Sequence, residues 1–324
     1  MIDNVTKEFP SFGMGGRRKS NRVAVVLAGG DGSRLKPLTR AIAGDERPKQ
    51  FCPILDDRTL LDETRRRIRN TFAADDVYYS LTAKHARFYE PLLRNVKASR
   101  NIVQPENKGT APAILYSLLK IAKSDPQATV AFFPSDHYFS DDKAFMNNVE
   151  SAFSAVEINR DSVVLLGIEP EKPETSYGWI EPHESLFGGL TGSVTRVKRF
   201  WEKPDRRRAK DLMARGCVWN SFVMIGNVST FIKMFERNLP ELFRTFKAAS
   251  LAFERASETE VVRAVYSWIE ESNFSSQVLE KESESLLVMR VGDVGWSDWG
   301  EPQRVLGTLM NLGIRKDWMQ AVAA

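Results

Sequence analysis

The stretch Val23-Ala24-Val25-Val26-Leu27-Ala28-Gly29-Gly30-Asp31-Gly32-Ser33-Arg34-Leu35 decides how the chain is read. Its first five residues are apolar and mostly β-branched, the pattern of a strand buried on both faces of a parallel sheet. The glycines that follow let backbone N–H groups come close to a phosphate. Two widespread phosphate loops are excluded. The Walker motif ends in Gly-Lys-Ser/Thr, and no such tripeptide follows. The dinucleotide fingerprint needs a third glycine, and that position holds Leu35. Arg34 sets a permanent cation beside the turn, and Arg47-Pro48-Lys49-Gln50-Phe51 adds another in a rigid context.

Strands of the same character are expected at Val77–Leu81, Asn101–Val103, Val130–Phe133 and Val163–Leu166. Between them, Leu60–Phe72, Thr110–Lys123 and Asp142–Val156 carry apolar residues at helical spacing. Thr110 reads as a helix cap with Pro112 in the first turn. Strands alternating with helices imply an α/β sheet with right-handed crossovers. After about residue 170 the rhythm loosens. Trp179–Glu181, Val194–Trp201, Val218–Ile225 and Ser285–Val291 read as strands, 227–271 as helices, and Glu301–Leu312 as a last helix.

Of 324 residues, 42% are hydrophobic and 27% charged, as in an ordinary folded protein. The net charge of +4 is unevenly placed. Residues 1–22 hold five cations against two acids, so all but one unit of the surplus lies there. That leaves a nearly neutral body and argues against a nucleic-acid partner. Two cysteines, Cys52 and Cys217, exclude a disulfide framework and suit a reducing, cytoplasmic setting. No apolar run reaches the ~18 residues of a membrane helix. The expected organisation is a flexible basic leader at 1–21 and one domain at 22–324. That domain divides at about 22–170, 171–300 and a C-terminal helix at 301–324.

Further blocks follow in order: Gln104-Pro105-Glu106-Asn107-Lys108-Gly109-Thr110, Phe132-Phe133-Pro134-Ser135-Asp136, Tyr177-Gly178-Trp179, Glu202-Lys203-Pro204, Trp219-Asn220-Ser221 and Trp296-Ser297-Asp298-Trp299-Gly300. With the opening Leu-Ala-Gly-Gly-x-Gly-x-Arg-Leu and Pro-Lys-Gln-Phe, this set resembles the nucleotide-sugar pyrophosphorylases. Within them it is most similar to the mannose-1-phosphate guanylyltransferases, over about residues 22–300. The resemblance implies a Rossmann-like, mostly parallel sheet flanked by helices, with an elaborated sugar-binding second half.

It also implies a reaction. A sugar 1-phosphate oxygen attacks the α-phosphate of a nucleoside triphosphate, GTP foremost, and pyrophosphate leaves. The nucleophile is already an anion, so the chemistry asks for cations, oxygen metal ligands and backbone donors rather than a general base. By resemblance, Leu27, Ala28, Gly29, Gly30, Gly32, Arg34, Gln104, Gly109 and Thr110 bind the nucleotide. Gly178, Glu202, Lys203 and Asn220 bind the sugar phosphate. Arg34, Lys49 and Lys203 are the catalytic cations, with Arg34 and Lys49 holding the triphosphate. Asp136 and Asp298 bind Mg²⁺, which prefers oxygen ligands. The implied partners are the NTP, a sugar 1-phosphate (mannose 1-phosphate foremost) and a second copy in a homodimer, with no membrane. A dTTP or UTP enzyme acting on glucose 1-phosphate is the alternative, and a non-catalytic nucleotide-sugar-binding regulator is a further one.

The chain departs from that pattern at Lys36, where relatives have Trp, and at Phe222, where they have Gly. Gln104 is more familiar in other nucleotide-sugar synthases. His137 is read as structural, and Trp201, Trp219, Trp296 and Trp299 as core or cleft wall. Arg65-Arg66-Arg67-Ile68-Arg69 and Arg206-Arg207-Arg208 are read as solvated faces.

Overall fold

The structure is a computed structural model that describes residues 21–55, 57–183 and 194–323. The basic leader lies outside these residues except for its last position. The first half runs β1 (Arg22–Leu27), α1 (Lys36–Ala43), α2 (Leu60–Ile68), β2 (Val77–Thr82), α3 (Ala86–Leu93), β3 (Asn101–Gln104), α4 (Thr110–Ser124), β4 (Thr129–Pro134), α5 (Asp142–Ile158) and β5 (Val163–Ile168). The second half runs β6 (Gly178–Pro182), β7 (Val194–Glu202), α6 (Arg206–Ala214), β8 (Val218–Asn227), α7 (Val228–Asn238), α8 (Pro240–Ala249), α9 (Glu258–Trp268), α10 (Phe274–Gln277), β9 (Leu286–Val291), α11 (Pro302–Asn311) and α12 (Trp318–Ala323).

The nine strands found among the described residues join one sheet in the order β3-β2-β1-β4-β8-β5-β9-β7-β6, with β6 also pairing β8. The parallel order expected from the β-branched runs holds for β3, β2, β1 and β4. Beyond β4 the sheet is mixed. β8 is antiparallel to both β4 and β5, β9 is parallel to β5, and β7 and β6 are antiparallel.

Both sheet faces are covered. β1 shows why its sequence lacks alternation: Val23 and Val25 enter one core with Ile114, Phe231 and Phe246, while Ala24 and Val26 enter the other with Leu61, Phe145 and Phe153. Each fully buried Phe or Leu contributes about 1.5–3 kcal/mol. A third, smaller cluster packs α1, α11 and α12 around Trp299, whose ring stacks on Tyr138 at 5.0 Å.

Three local readings are corrected. Thr110 does not cap α4. Gly109 takes the cap position at φ 86°, and the Thr110 hydroxyl accepts the Phe274 N–H at 2.9 Å. Arg67 leaves the solvated face expected of its basic run. It is buried, with Nε 2.5 Å from Asp142 and its guanidinium over the Phe139 ring. In place of the one C-terminal helix expected at 301–324, the described residues form two, Pro302–Asn311 and Trp318–Ala323. By contrast, Arg206, Arg207 and Arg208 are exposed on the first turn of α6, as read.

Candidate active site

The glycine-rich part of the opening motif runs off the carboxyl end of β1, beside the end of β4, and ligands of open α/β sheets bind at such edges. Two cavities lie there. One, of about 340 Å³, is lined by Leu27, Gly29, Gly30, Gln104, Gly109, Thr110 and Asp136. The other, of about 350 Å³, is lined by Gly32, Arg34, Lys49, Asp136, His137, Asp298 and Gly300. They share Asp136 and His137, so the expected nucleotide residues and the expected metal residues meet at the end of β4.

The glycine-rich turn is built by side chains from behind. Gln50 donates to the carbonyls of Ala28 (3.1 Å) and Gly30 (2.8 Å), and Thr82 donates to that of Gly29 (2.8 Å). A Cβ on Gly29 would come within 2.9 Å of Thr82 Oγ1 and 3.0 Å of Gln104 Nε2. Gly32 adopts φ 57°, which favours glycine. Ala28 departs from its expected role. It is buried, and its N–H donates to the Ser80 carbonyl at 2.8 Å while its carbonyl accepts from Gln50, so its N–H is not free for a nucleotide.

Gln104 is buried at the cavity wall. Its Oε1 accepts the Tyr266 hydroxyl at 2.8 Å, which fixes the amide and turns Nε2 toward Ser80 Oγ at 3.3 Å. A segment the sequence reading did not single out completes this cavity. Ser272 N–H donates to the Lys108 carbonyl, Ala111 N–H donates to the Ser272 carbonyl, and Glu271 and Asn273 stand on the cavity wall. A Cβ on Gly109 would meet Ser272 O at 2.4 Å. Gly109→Ala is therefore expected to push this segment away and to strain a left-handed backbone, costing about 2 kcal/mol. The nucleotide KM should rise about tenfold while the sugar-phosphate KM stays put; equal shifts in both would contradict this.

Asp298 is held tightly. Its Oδ1 accepts from Tyr177 OH (2.7 Å), Gly300 N–H (3.0 Å) and Arg304 Nη1 (2.7 Å), and its Oδ2 takes no protein donor among the described residues. Burial opposes its ionisation, but the charge of Lys49, the Tyr177 hydroxyl, His137 and Arg304 outweigh it and bring the pKa to about 2. Arg304, which the sequence reading missed, also bonds Ser176 Oγ at 2.7 Å and Glu174 at 2.9 Å, with its guanidinium over the Tyr177 ring. It ties the turn carrying Glu174 and Ser176 to the Asp298 carboxylate.

Lys49 is placed differently from expectation. Its ammonium is buried and donates to the carbonyls of Asp298 and Trp299, and it lies 3.3 Å from Asp136 Oδ2. It joins the two carboxylate-bearing segments and is not a free clamp. Arg34 remains exposed on the cavity, 3.7 Å from Glu301.

Gly178, Glu202 and Lys203 form an adjoining group outside the lining of the two cavities. Gly178 pairs with Glu202 across β6 and β7. The space a Cβ would need at Gly178 is occupied by Phe200 and Glu202, so its glycine serves packing rather than approach to a sugar. Burial raises the Glu202 pKa, with Lys203 pulling the other way at 3.3 Å. Asn220 is likewise turned inward: it is buried, and its Oδ1 accepts the Phe222 N–H at 3.1 Å. Among the described non-glycine residues, φ is positive only at Lys203, Phe222, Glu254 and Trp299. Three of these belong to the site's own segments, where such strain concentrates.

His137 behaves as a structural residue. Its Nδ1 accepts the Trp296 indole N–H at 3.2 Å, and burial lowers its pKa to about 4 against the pull of Asp136 and Asp298. Because the folded pKa lies below the unfolded ~6.5, its stabilising effect is complete above pH ~6.5 and fades as pH falls toward about 4. Burial lowers the His85 pKa too, in the same sense. Urea melts across that window should lose up to ~3 kcal/mol through His137, and His137→Gln should flatten the slope. An unchanged slope would contradict the assignment.

A family model described as nucleotidyl transferase matches residues 23–312. The chain belongs to that family. It is 30% identical over 286 residues to the alginate biosynthesis protein AlgA of Pseudomonas syringae pv. tomato, covering 86% of this chain and 56% of that protein. It is 31% identical over 291 residues to mannose-1-phosphate guanylyltransferase 2 of Escherichia coli O157:H7, covering 87% and 58%. The chain thus spans a little over half the length of these family relatives. Among solved structures, a Thermus thermophilus protein described as mannose-1-phosphate geranyltransferase superposes with TM-score 0.75 at 27% identity, covering 88% of this chain and 79% of that one. Family membership agrees with the α/β fold and the ordered motifs.

Proposed function

We propose that this chain transfers a nucleotidyl group from GTP to mannose 1-phosphate, forming GDP-mannose and pyrophosphate. The observation that carries this reading is the meeting of the two cavities at Asp136, with Asp298, Lys49 and Arg34 around the second. A nucleoside fits the first cavity, and its phosphates extend into the second. An oxygen of the sugar phosphate forms the new bond to the α-phosphorus, and the bond from that phosphorus to the β-phosphate oxygen breaks. No proton need move, so charge and alignment are the whole task.

Arg34 and the N–H groups of the glycine-rich turn offset the triphosphate charge. Lys203 receives the phosphate of the acceptor, and Glu202 accepts from its hydroxyls. Lys49 keeps the Asp136 and Asp298 segments together. The donor set fits Mg²⁺: hard carboxylate oxygens on one cavity, with Asp298 Oδ2 free of protein donors among the described residues. Among those residues no cluster of three or more His, Cys, Asp or Glu could hold a metal alone, which suits an ion completed by substrate phosphates. When bound, that ion would neutralise phosphate charge and orient the leaving group.

The choice of guanine rests on the name of the E. coli relative, and that of mannose on this name and on that of the Thermus structure. A reducing, cytoplasmic setting is supported by two free, buried cysteines. The test is pyrophosphate release across GTP, dTTP, UTP and ATP, each with mannose and glucose 1-phosphate. The fastest release is expected with GTP and mannose 1-phosphate in the presence of Mg²⁺. A faster dTTP or UTP pair would reassign the base, and no release with any pair would overturn the reading.

A further inference from the structure

Strand β8 carries a bulge in the middle of the cleft floor. Leu165 pairs with Met224 and Gly167 with Asn220, so three residues of β8, Ser221 to Val223, stand opposite the single residue Leu166. The bulge is stapled by its own side chains. Asn220 Oδ1 accepts the Phe222 N–H at 3.1 Å, Ser221 Oγ donates to the Leu166 carbonyl at 2.6 Å, and the same oxygen accepts the Val223 N–H at 3.2 Å. At its apex Phe222 sits at φ 60°, a left-handed conformation in which a bulky side chain is strained and glycine is not.

Its position is functional ground. The β4–β8 ladder runs from Thr129–Asn227 to Phe132–Met224, so the bulge lies beside the point where β4 runs out toward Asp136. The ring is half-buried, rests partly on the core and lines the nucleoside cavity together with Asp136. On its other flank Asn220 leads to Trp219, which pairs with Trp179 of β6, next to Gly178. Phe222 therefore stands where the nucleoside cavity gives way to the group formed by Gly178, Glu202 and Lys203. Bulges near active sites commonly re-aim one side chain, and a strained residue kept at such a point calls for a function.

We propose that Phe222 is a specificity-determining residue whose ring walls the acceptor side of the cleft and selects among hexose 1-phosphates. This rests on the nucleotidyl-transfer reading above. A rigid aromatic wall admits sugars whose hydroxyls point away from it and rejects epimers that would press a hydroxyl against it.

The test is kcat/KM for mannose, glucose and galactose 1-phosphates with GTP in the wild type, Phe222→Ala and Phe222→Gly. Both variants remove the wall, and only the glycine relieves the left-handed strain. The preference of the wild type for its best acceptor over the next, measured at saturating GTP for each variant, is expected to shrink about tenfold or more in both, whatever the change in the KM for GTP. The melting temperature of Phe222→Gly should exceed that of Phe222→Ala. Phe222→Leu keeps an apolar side chain on the core and should give an intermediate preference, which keeps the test open if the smaller variants fold poorly. An unchanged acceptor ratio, or a change confined to the KM for GTP, overturns this inference alone. No turnover by the wild type with any pair overturns the underlying reading and this inference with it.

Discussion

Asp298→Asn is expected to lower turnover by several kcal/mol of transition-state stabilisation, about three orders of magnitude, while leaving the fold intact. The reason lies in how its two oxygens are divided. Oδ1 is saturated by Tyr177, Gly300 and Arg304, and an asparagine carbonyl can accept from all three. Oδ2 has no protein donor among the described residues, and the amide NH₂ that replaces it cannot bind a cation. The substitution thus removes the ligand and spares the scaffold. Asp136→Asn should behave alike, since Asp136 lines both cavities. In each variant the Mg²⁺ concentration needed for half-maximal rate should rise. Near-normal turnover in either would remove that residue from the site.

Lys49→Met is expected to reduce both turnover and stability. The Lys49 ammonium is bonded to two backbone carbonyls, those of Asp298 and Trp299, and is paired with Asp136. Methionine keeps the apolar stem but leaves both carbonyls without that donor. An unsatisfied buried polar group costs about 1–3 kcal/mol, so a loss of about 2–4 kcal/mol in a urea melt follows. It also leaves Asp136 and Asp298 to repel each other, and turnover should fall at least about a hundredfold. Lys49→Arg should recover stability better than rate, because a planar fork cannot occupy the point held by an ammonium. A stable and active Lys49→Met enzyme would contradict the role of Lys49 in joining the two segments.

Much of this was legible in the sequence, for identifiable reasons. A buried parallel strand such as β1 must be apolar on both faces, so its run of five announces it. A left-handed position in a tight turn favours glycine, and Gly32 sits at φ 57°. Carboxylates at strand ends and near tryptophans lie where the motifs put them. What stayed hidden depends on partners distant in the chain. The burial of Arg67 is decided by Asp142, and that of Lys49 by the carbonyl of Trp299, 250 residues away. Arg304 bears no local mark, because Glu174 and Ser176 reach it only in the folded chain. The loop that docks on Gly109 is polar and unpatterned. Asn220 has the side chain of a sugar ligand but spends its acceptor on its own bulge.

In the proposed reaction one crevice brings a nucleoside triphosphate and a sugar 1-phosphate together for direct transfer. Phosphorus NMR of the protein with GTP, mannose 1-phosphate and Mg²⁺ tests it most directly. A nucleotide sugar and pyrophosphate should rise in equal amounts, with no change when either substrate is left out. Release of inorganic phosphate from GTP without mannose 1-phosphate, or no new resonance with any nucleotide and sugar phosphate, would contradict it.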